Sequence, residues 1–99
     1  MDLRGKIVLV TGASSGIGKA IAIAFAHKGA HVLVHYGRNK VGAQETLRNV
    51  EKVSSGRVYQ ADLMDLAATK SLFGEIKRTT PTINVLINNC RRIAAGGAK

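Results

Sequence analysis

The chain has 99 residues, a formal net charge of +9, 45% hydrophobic residues and only 4% aromatics. That length allows one domain, and the balance of apolar and charged residues describes an aliphatic globular core and excludes a disordered chain. Cys90 is the only cysteine, so no intrachain disulfide is possible. With a charged Met1–Lys6 start and no apolar run of membrane-spanning length, the expectation is a cytoplasmic protein with no membrane partner. The basic excess leaves two readings open, a solvated surface or attraction to a phosphate-bearing ligand. No basic run interleaved with aromatics and no nucleic-acid module is present, so nucleic acid is not an expected partner.

In chain order, Ile7-Val8-Leu9-Val10 is a continuous apolar run of the kind buried on both faces of a parallel sheet. Ile17, Ala20, Ile21, Ala24 and Phe25 then recur at helical spacing up to Lys28, with Gly29 as the stop. Val32-Leu33-Val34 predicts the second strand. Val41, Leu47, Val50 and Val53 predict a second, more polar helix ending near Ser54-Ser55-Gly56. Val58-Tyr59 predicts a short third strand. Leu66, Leu72, Phe73 and Ile76 outline a third helix that stops before Pro81, and residues 83–87 predict a fourth strand. This alternation predicts an α/β fold, β-α-β-α-β-α-β, with a parallel sheet, right-handed crossovers and helices on both faces. The last ten residues, 90–99, show neither period and read as an irregular tail.

The segment Thr11-Gly12-Ala13-Ser14-Ser15-Gly16-Ile17-Gly18 follows a buried strand and opens a helix. In that context the glycines acquire meaning. Gly12 permits the tight turn, Gly16 lets backbone approach a diphosphate, and Gly18 lets helix and sheet pack closely. The amides of the first helical turn, Ile17 included, then face an anion, and Ser14 and Ser15 can add hydroxyl donors.

TGASSGIG resembles the cofactor signature of the short-chain dehydrogenase/reductase family. Ala61-Asp62-Leu63 after the third strand and Asn88-Asn89 after the fourth resemble two further marks of that family. The resemblance covers residues 3–89. It implies a Rossmann-type doubly wound sheet of strand order 3-2-1-4 and a dinucleotide cofactor held by Gly12, Ser14, Ser15, Gly16, Ile17, Gly18, Asp62, Leu63 and Asn88, with Asp62 facing the adenine. The loop His35-Tyr36-Gly37-Arg38-Asn39 is closest to the 3-oxoacyl-acyl-carrier-protein reductase and glucose-dehydrogenase-like group.

A carboxylate at the end of the second strand would accept the ribose 2′-hydroxyl of NAD. Tyr36 stands at that position, and Arg38 lies two residues on, suited to a 2′-phosphate that Ser14 could share. NADP(H) is therefore the expected cofactor over NAD(H).

The family reduces carbonyls or oxidises alcohols, using a tyrosine, a lysine four residues later and a serine, all beyond the fourth strand. No residue here is expected to be catalytic. Tyr36 and Lys40 match the Tyr-x-x-x-Lys spacing but lie at the adenosine end. The histidines, His27, His31 and His35, are expected at surface or strand-end positions, no metal-ligand spacing is present, and Cys90 is expected to be inert.

The family pattern breaks between Asn89 and Cys90, which motivates a division into a half-domain, 1–89, and a tail, 90–99, produced by truncation or a shifted reading frame. A truncated sheet would leave the fourth strand as an unpaired edge beside apolar surface. Such a chain is expected to be marginally stable, to self-associate through that face and to bind NADP weakly. Three functional readings stand together: a fragment of an NADP(H)-dependent reductase, a non-catalytic NADP-binding module, and a non-functional truncated product.

Overall fold

The computed structural model describes residues 1–80 and 82–90; the predicted tail from Arg91 onward lies outside them. The elements are β1 (Ile7–Val10), α1 (Gly16–His27), β2 (His31–Tyr36), α2 (Lys40–Glu51), β3 (Ser55–Gln60), α3 (Leu66–Thr79) and β4 (Val85–Ile87). The strands form one parallel sheet in the order β3-β2-β1-β4, the predicted Rossmann-type arrangement.

Alternation along the strands divides the core in two. Val8, Val10, Val32 and Val34 point to the face covered by α1 and α2, where they meet Ala22, Ala26, Ala43 and Val50. Leu9 and Leu33 point to the opposite face and pack with Leu63, Leu72 and Ile76. Helices cover both faces as expected, α1 and α2 sharing one and α3 taking the other. Among the described residues β4 pairs only with β1, and Leu86 on it is 53% exposed. Among the described residues no helix is long and apolar enough to cross a membrane.

The structure corrects several details. α1 buries Gly18, Ala22 and Ala26, whereas Ala20 and Ala24 are exposed and Ile17 is 72% exposed. The helix lies so close to the sheet that only small residues fit along its contact line. α2 buries Ala43, Thr46 and Val50, while Val41 is exposed and Val53 lies beyond the helix, also exposed. α3 touches the sheet through Leu72 and Ile76, leaving Leu66 and Phe73 largely outside.

β3 begins at Ser55, where a turn was expected, because parallel pairing of Ser55 with His31 and Gly56 with Val32 recruits both residues. β4 is shorter than predicted. Asn84 replaces regular pairing there: its N–H donates to Ile7 O at 2.9 Å and its side-chain Oδ1 accepts from Ile7 N–H at 2.8 Å.

His31 is the first residue of β2 and His35 lies within it, and His35 is fully buried. The expectation of a surface or strand-end role fails for His35 because both its ring nitrogens find partners in the interior.

Candidate functional site: the turn after the first strand and the adjoining cleft

The chain leaves β1 through Thr11 and turns with Gly12 at φ +62° and Gly16 at φ +56°, left-handed values that favour glycine. Ser15 caps α1 in extended conformation and its hydroxyl makes no capping bond. Lys19 N–H donates to Ser15 O at 3.2 Å, and among the described residues no bond beyond the helix ladder engages the amides of Gly16, Ile17 and Gly18. No acidic residue lies in the first turn of α1. The arrangement presents free donors and the positive end of a helix dipole at the carboxyl edge of the sheet. Gly18 is as close to the turn as the sequence predicts. A Cβ on it would collide with Gly12 O and come within 2.6 Å of Asn89 Nδ2.

The turn is fastened from three sides. Thr11 Oγ1 donates to Asn88 Oδ1 at 3.1 Å and accepts from the N–H groups of Asn89 at 2.9 Å and Cys90 at 3.1 Å. That uses its one proton and both lone pairs. Asn89 Nδ2 donates to Gly12 O at 3.1 Å. On the α2 side, the buried Thr46 hydroxyl donates to Ala13 O at 2.8 Å. From β2, His35 O accepts Ala13 N–H at 2.8 Å, and the ring of His35 accepts Gly12 N–H at 3.1 Å. Thr11, His35, Thr46 and Asn89 are thus turn-holding residues absent from the sequence-derived site. Asn89 stood beside the predicted Asn88, and a histidine within an apolar strand was the visible signal for His35.

Beside the turn opens a cleft of about 660 Å³, lined by Gly37, Arg38, Asp62, Leu63, Met64 and Cys90 over a floor that includes His35. Arg38 is exposed, and no carboxylate pairs with it among the described residues. Asp62 Oδ1 accepts Met64 N–H at 2.9 Å, which closes a short turn and directs Leu63 inward. Leu63 forms part of the wall with its side chain buried in the α3-side core. Asn88 is exposed but committed to Thr11.

Tyr36 is 8% exposed and belongs to the core between sheet, α1 and α2. The hydroxyl of the other tyrosine, Tyr59, pairs with Thr79 Oγ1 at 3.2 Å.

Burial holds the His35 ring below the ordinary histidine range, opposed by its bond to Ala61 O. Burial pushes the Cys90 thiol up, so it is protonated at neutral pH and a poor nucleophile. Among the described residues no group of histidine, cysteine and carboxylate side chains could hold a metal ion.

The family model for short chain dehydrogenases matches residues 6–97. The short-chain dehydrogenase/reductase homolog YusS of Bacillus subtilis is 36% identical over 91 residues, which are 90% of this chain and 83% of that protein. Versicolorin reductase 1 of Aspergillus parasiticus is 34% identical over 98% of this chain but only 37% of its own length. Among solved structures, the landomycin C-6 ketoreductase LanV, with bound NADP and rabelomycin, superposes with a TM-score of 0.81 at 35% identity, covering 90% of this chain and 39% of the ketoreductase. The chain therefore spans most of one relative and little more than a third of the other two. The turn, its anchoring asparagines and these likenesses together place the chain in the short-chain dehydrogenase/reductase family.

Proposed function

We propose that residues 1–89 form a dinucleotide-binding half-domain that takes NADP(H) in preference to NAD(H), and that the chain is the cofactor-holding part of a carbonyl reductase. The observation that carries this reading is the turn itself: two left-handed glycines, a free Ser15 hydroxyl and uncommitted helix amides, with no acid in the first turn. A diphosphate would find its donors in Ser14, Ser15 and the amides of Gly16, Ile17 and Gly18, over Gly12. The absence of space for a Cβ at Gly18 supports the fit, because it keeps the helix terminus pressed against the sheet edge.

The cleft suits an adenosine. Asp62 offers a carboxylate, Leu63 and Met64 an apolar wall, and Arg38 an exposed guanidinium for a 2′-phosphate. Tyr36 leaves the end of β2 without the carboxylate that would repel that phosphate. NADP(H), when bound, supplies or accepts the hydride of carbonyl reduction. The work of this chain's residues is to bind, orient and exclude water at the adenosine and diphosphate.

The relatives named above for an activity are a versicolorin reductase and a landomycin C-6 ketoreductase, which supports carbonyl reduction here. The His35–Asn39 loop extends the proposal to the 3-oxoacyl-acyl-carrier-protein reductase-like group. A cytoplasmic setting accords with the single, protonated Cys90.

A second reading, a non-catalytic NADP-binding module, is favoured by the placement of both tyrosines. Tyr36, the only one with the Tyr-x-x-x-Lys spacing, is buried in the core, and Tyr59 is tied to Thr79.

Titration of NADPH and NADH against the parent chain and Arg38→Asp tests the cofactor assignment. Loss of a guanidinium–phosphate contact, ~2 kcal/mol, raises the Kd for NADPH about thirtyfold and leaves that for NADH within a few-fold. Equal changes in both affinities refute it. Turnover of simple ketones with NADPH separates the two readings: turnover supports the reductase, binding alone the module, and neither a non-functional product.

A further inference from the structure

His35 is buried from solvent, yet both nitrogens of its ring are committed. Nδ1 lies 3.1 Å from Gly12 N and Nε2 lies 2.9 Å from Ala61 O. A main-chain N–H can only donate and a carbonyl can only accept. The ring is therefore fixed as neutral imidazole with its proton on Nε2. The main chain of the same residue accepts Ala13 N–H, and Ala61 N–H donates to Tyr36 O at 3.1 Å. One side chain thus spans from the diphosphate turn to the start of the Ala61-Asp62-Leu63 wall. An imidazolium would set Nδ1–H against Gly12 N–H, two donors facing each other in the interior.

We propose that His35 is a positioning residue that clamps the Gly12 turn to the Ala61–Leu63 wall only while its ring is neutral, so that the grip on a phosphate-bearing dinucleotide loosens when the ring takes up a proton. The proposal rests on the cofactor reading above, but the clamp can be observed without cofactor. The ionisable groups sharing the cleft with His35 are Arg38 after β2, Asp62 after β3 and Cys90 after β4. Arg38 opposes a second positive charge, Asp62 favours it, and the Cys90 thiol is neutral. The Gly12–Gly16 turn brings no charge, β3 brings Tyr59 in register with His35, its hydroxyl paired with Thr79, and α3 turns Leu72 and Ile76, neither ionisable, to this face. Burial keeps the ring neutral at neutral pH, so loosening belongs on the acid side of 6.5.

The test measures NADPH affinity from about pH 5 to 8 for the parent, His35→Asn and His35→Leu. Protection of the Gly12 amide from hydrogen exchange, relative to its intrinsic rate, is followed by NMR in the same proteins without cofactor. In His35→Asn the new side-chain amide oxygen can take the place of Nδ1 as acceptor and cannot gain a proton in this range. The parent is expected to lose about tenfold in affinity on the acid side, with falling Gly12 protection. His35→Asn is expected to hold both nearly level, and His35→Leu to be weak and unprotected throughout. If His35→Asn keeps the parent's acid-side loss, or Gly12 protection in the parent ignores pH, the clamp is overturned. If no protein binds NADPH at any pH while Gly12 protection follows the expected pattern, the cofactor reading falls and the clamp stands.

Discussion

Gly18→Ala and Gly74→Ala make the same chemical change in two helices and should move stability in opposite directions. At Gly18 the added methyl meets Gly12 O, which is backbone, and lies 2.6 Å from Asn89 Nδ2, a side-chain terminus held by its hydrogen bond to that same oxygen. α1 must lift from the sheet, and the Asn89–Gly12 hydrogen bond stretches. Overpacking costs ~2 kcal/mol and a weakened hydrogen bond ~1 kcal/mol, against a gain of ~1 kcal/mol in helix propensity. The net loss is ~2 kcal/mol. At Gly74, in α3, nothing lies within 4 Å of the new methyl, so the propensity gain of ~1 kcal/mol stands alone. Urea unfolding followed by circular dichroism reads both. Gly18→Ala should lower the midpoint by about 1 M and Gly74→Ala should raise it by roughly half as much, with unchanged slopes. Equal stabilisation by the two substitutions would refute the close approach of α1 to the turn.

Thr11→Val strips the hydroxyl that serves Asn88, Asn89 and Cys90. A loss of ~2 kcal/mol in urea unfolding is expected, with Thr11→Ser restoring most of it. Leu86→Lys places a charge on the half-exposed position of the β4 edge. It should shift the chain toward monomer in sedimentation at little cost in stability, and an unchanged size distribution would count against association through that edge. Stability should also depend on pH. His31 and His35 are both held below the ordinary value of 6.5, chiefly by burial. The unfolded chain therefore binds more protons there, so stability is full above about 6.5 and falls as the pH drops through the folded values. Urea midpoints across that window check the sign, and a rise toward acid would contradict it.

The legibility of the sequence varied by element for identifiable reasons. β1 was plain because a strand buried on both faces must be apolar throughout, and Ile7–Val10 is. The start of β3 was hidden because Ser55 and Gly56 carry turn propensity, and only pairing with His31 and Val32 overrides it. The buried stripe of α1 was misread because helical periodicity favours large residues such as Ile17. Proximity to the sheet instead selected Gly18, Ala22 and Ala26. Of the candidate site, the glycines, Arg38 and Asp62 were readable as motif. His35 and Thr46 were not, nor was the hold of Asn89 on Gly12, since their partners lie 23, 33 and 77 residues away in the chain.

The order of letters alone was enough to determine the alternation of strand and helix, the parallel sheet and the bend from Val10 into α1. Those depend on local period and on glycine at particular steps, which are written in the chain. Folding in three dimensions decided which helix face is buried, that β3 begins at Ser55, and that a histidine from β2 and an asparagine beyond β4 hold the turn from opposite sides. Those outcomes depend on distances between remote segments, and a remote distance has no signature in local period.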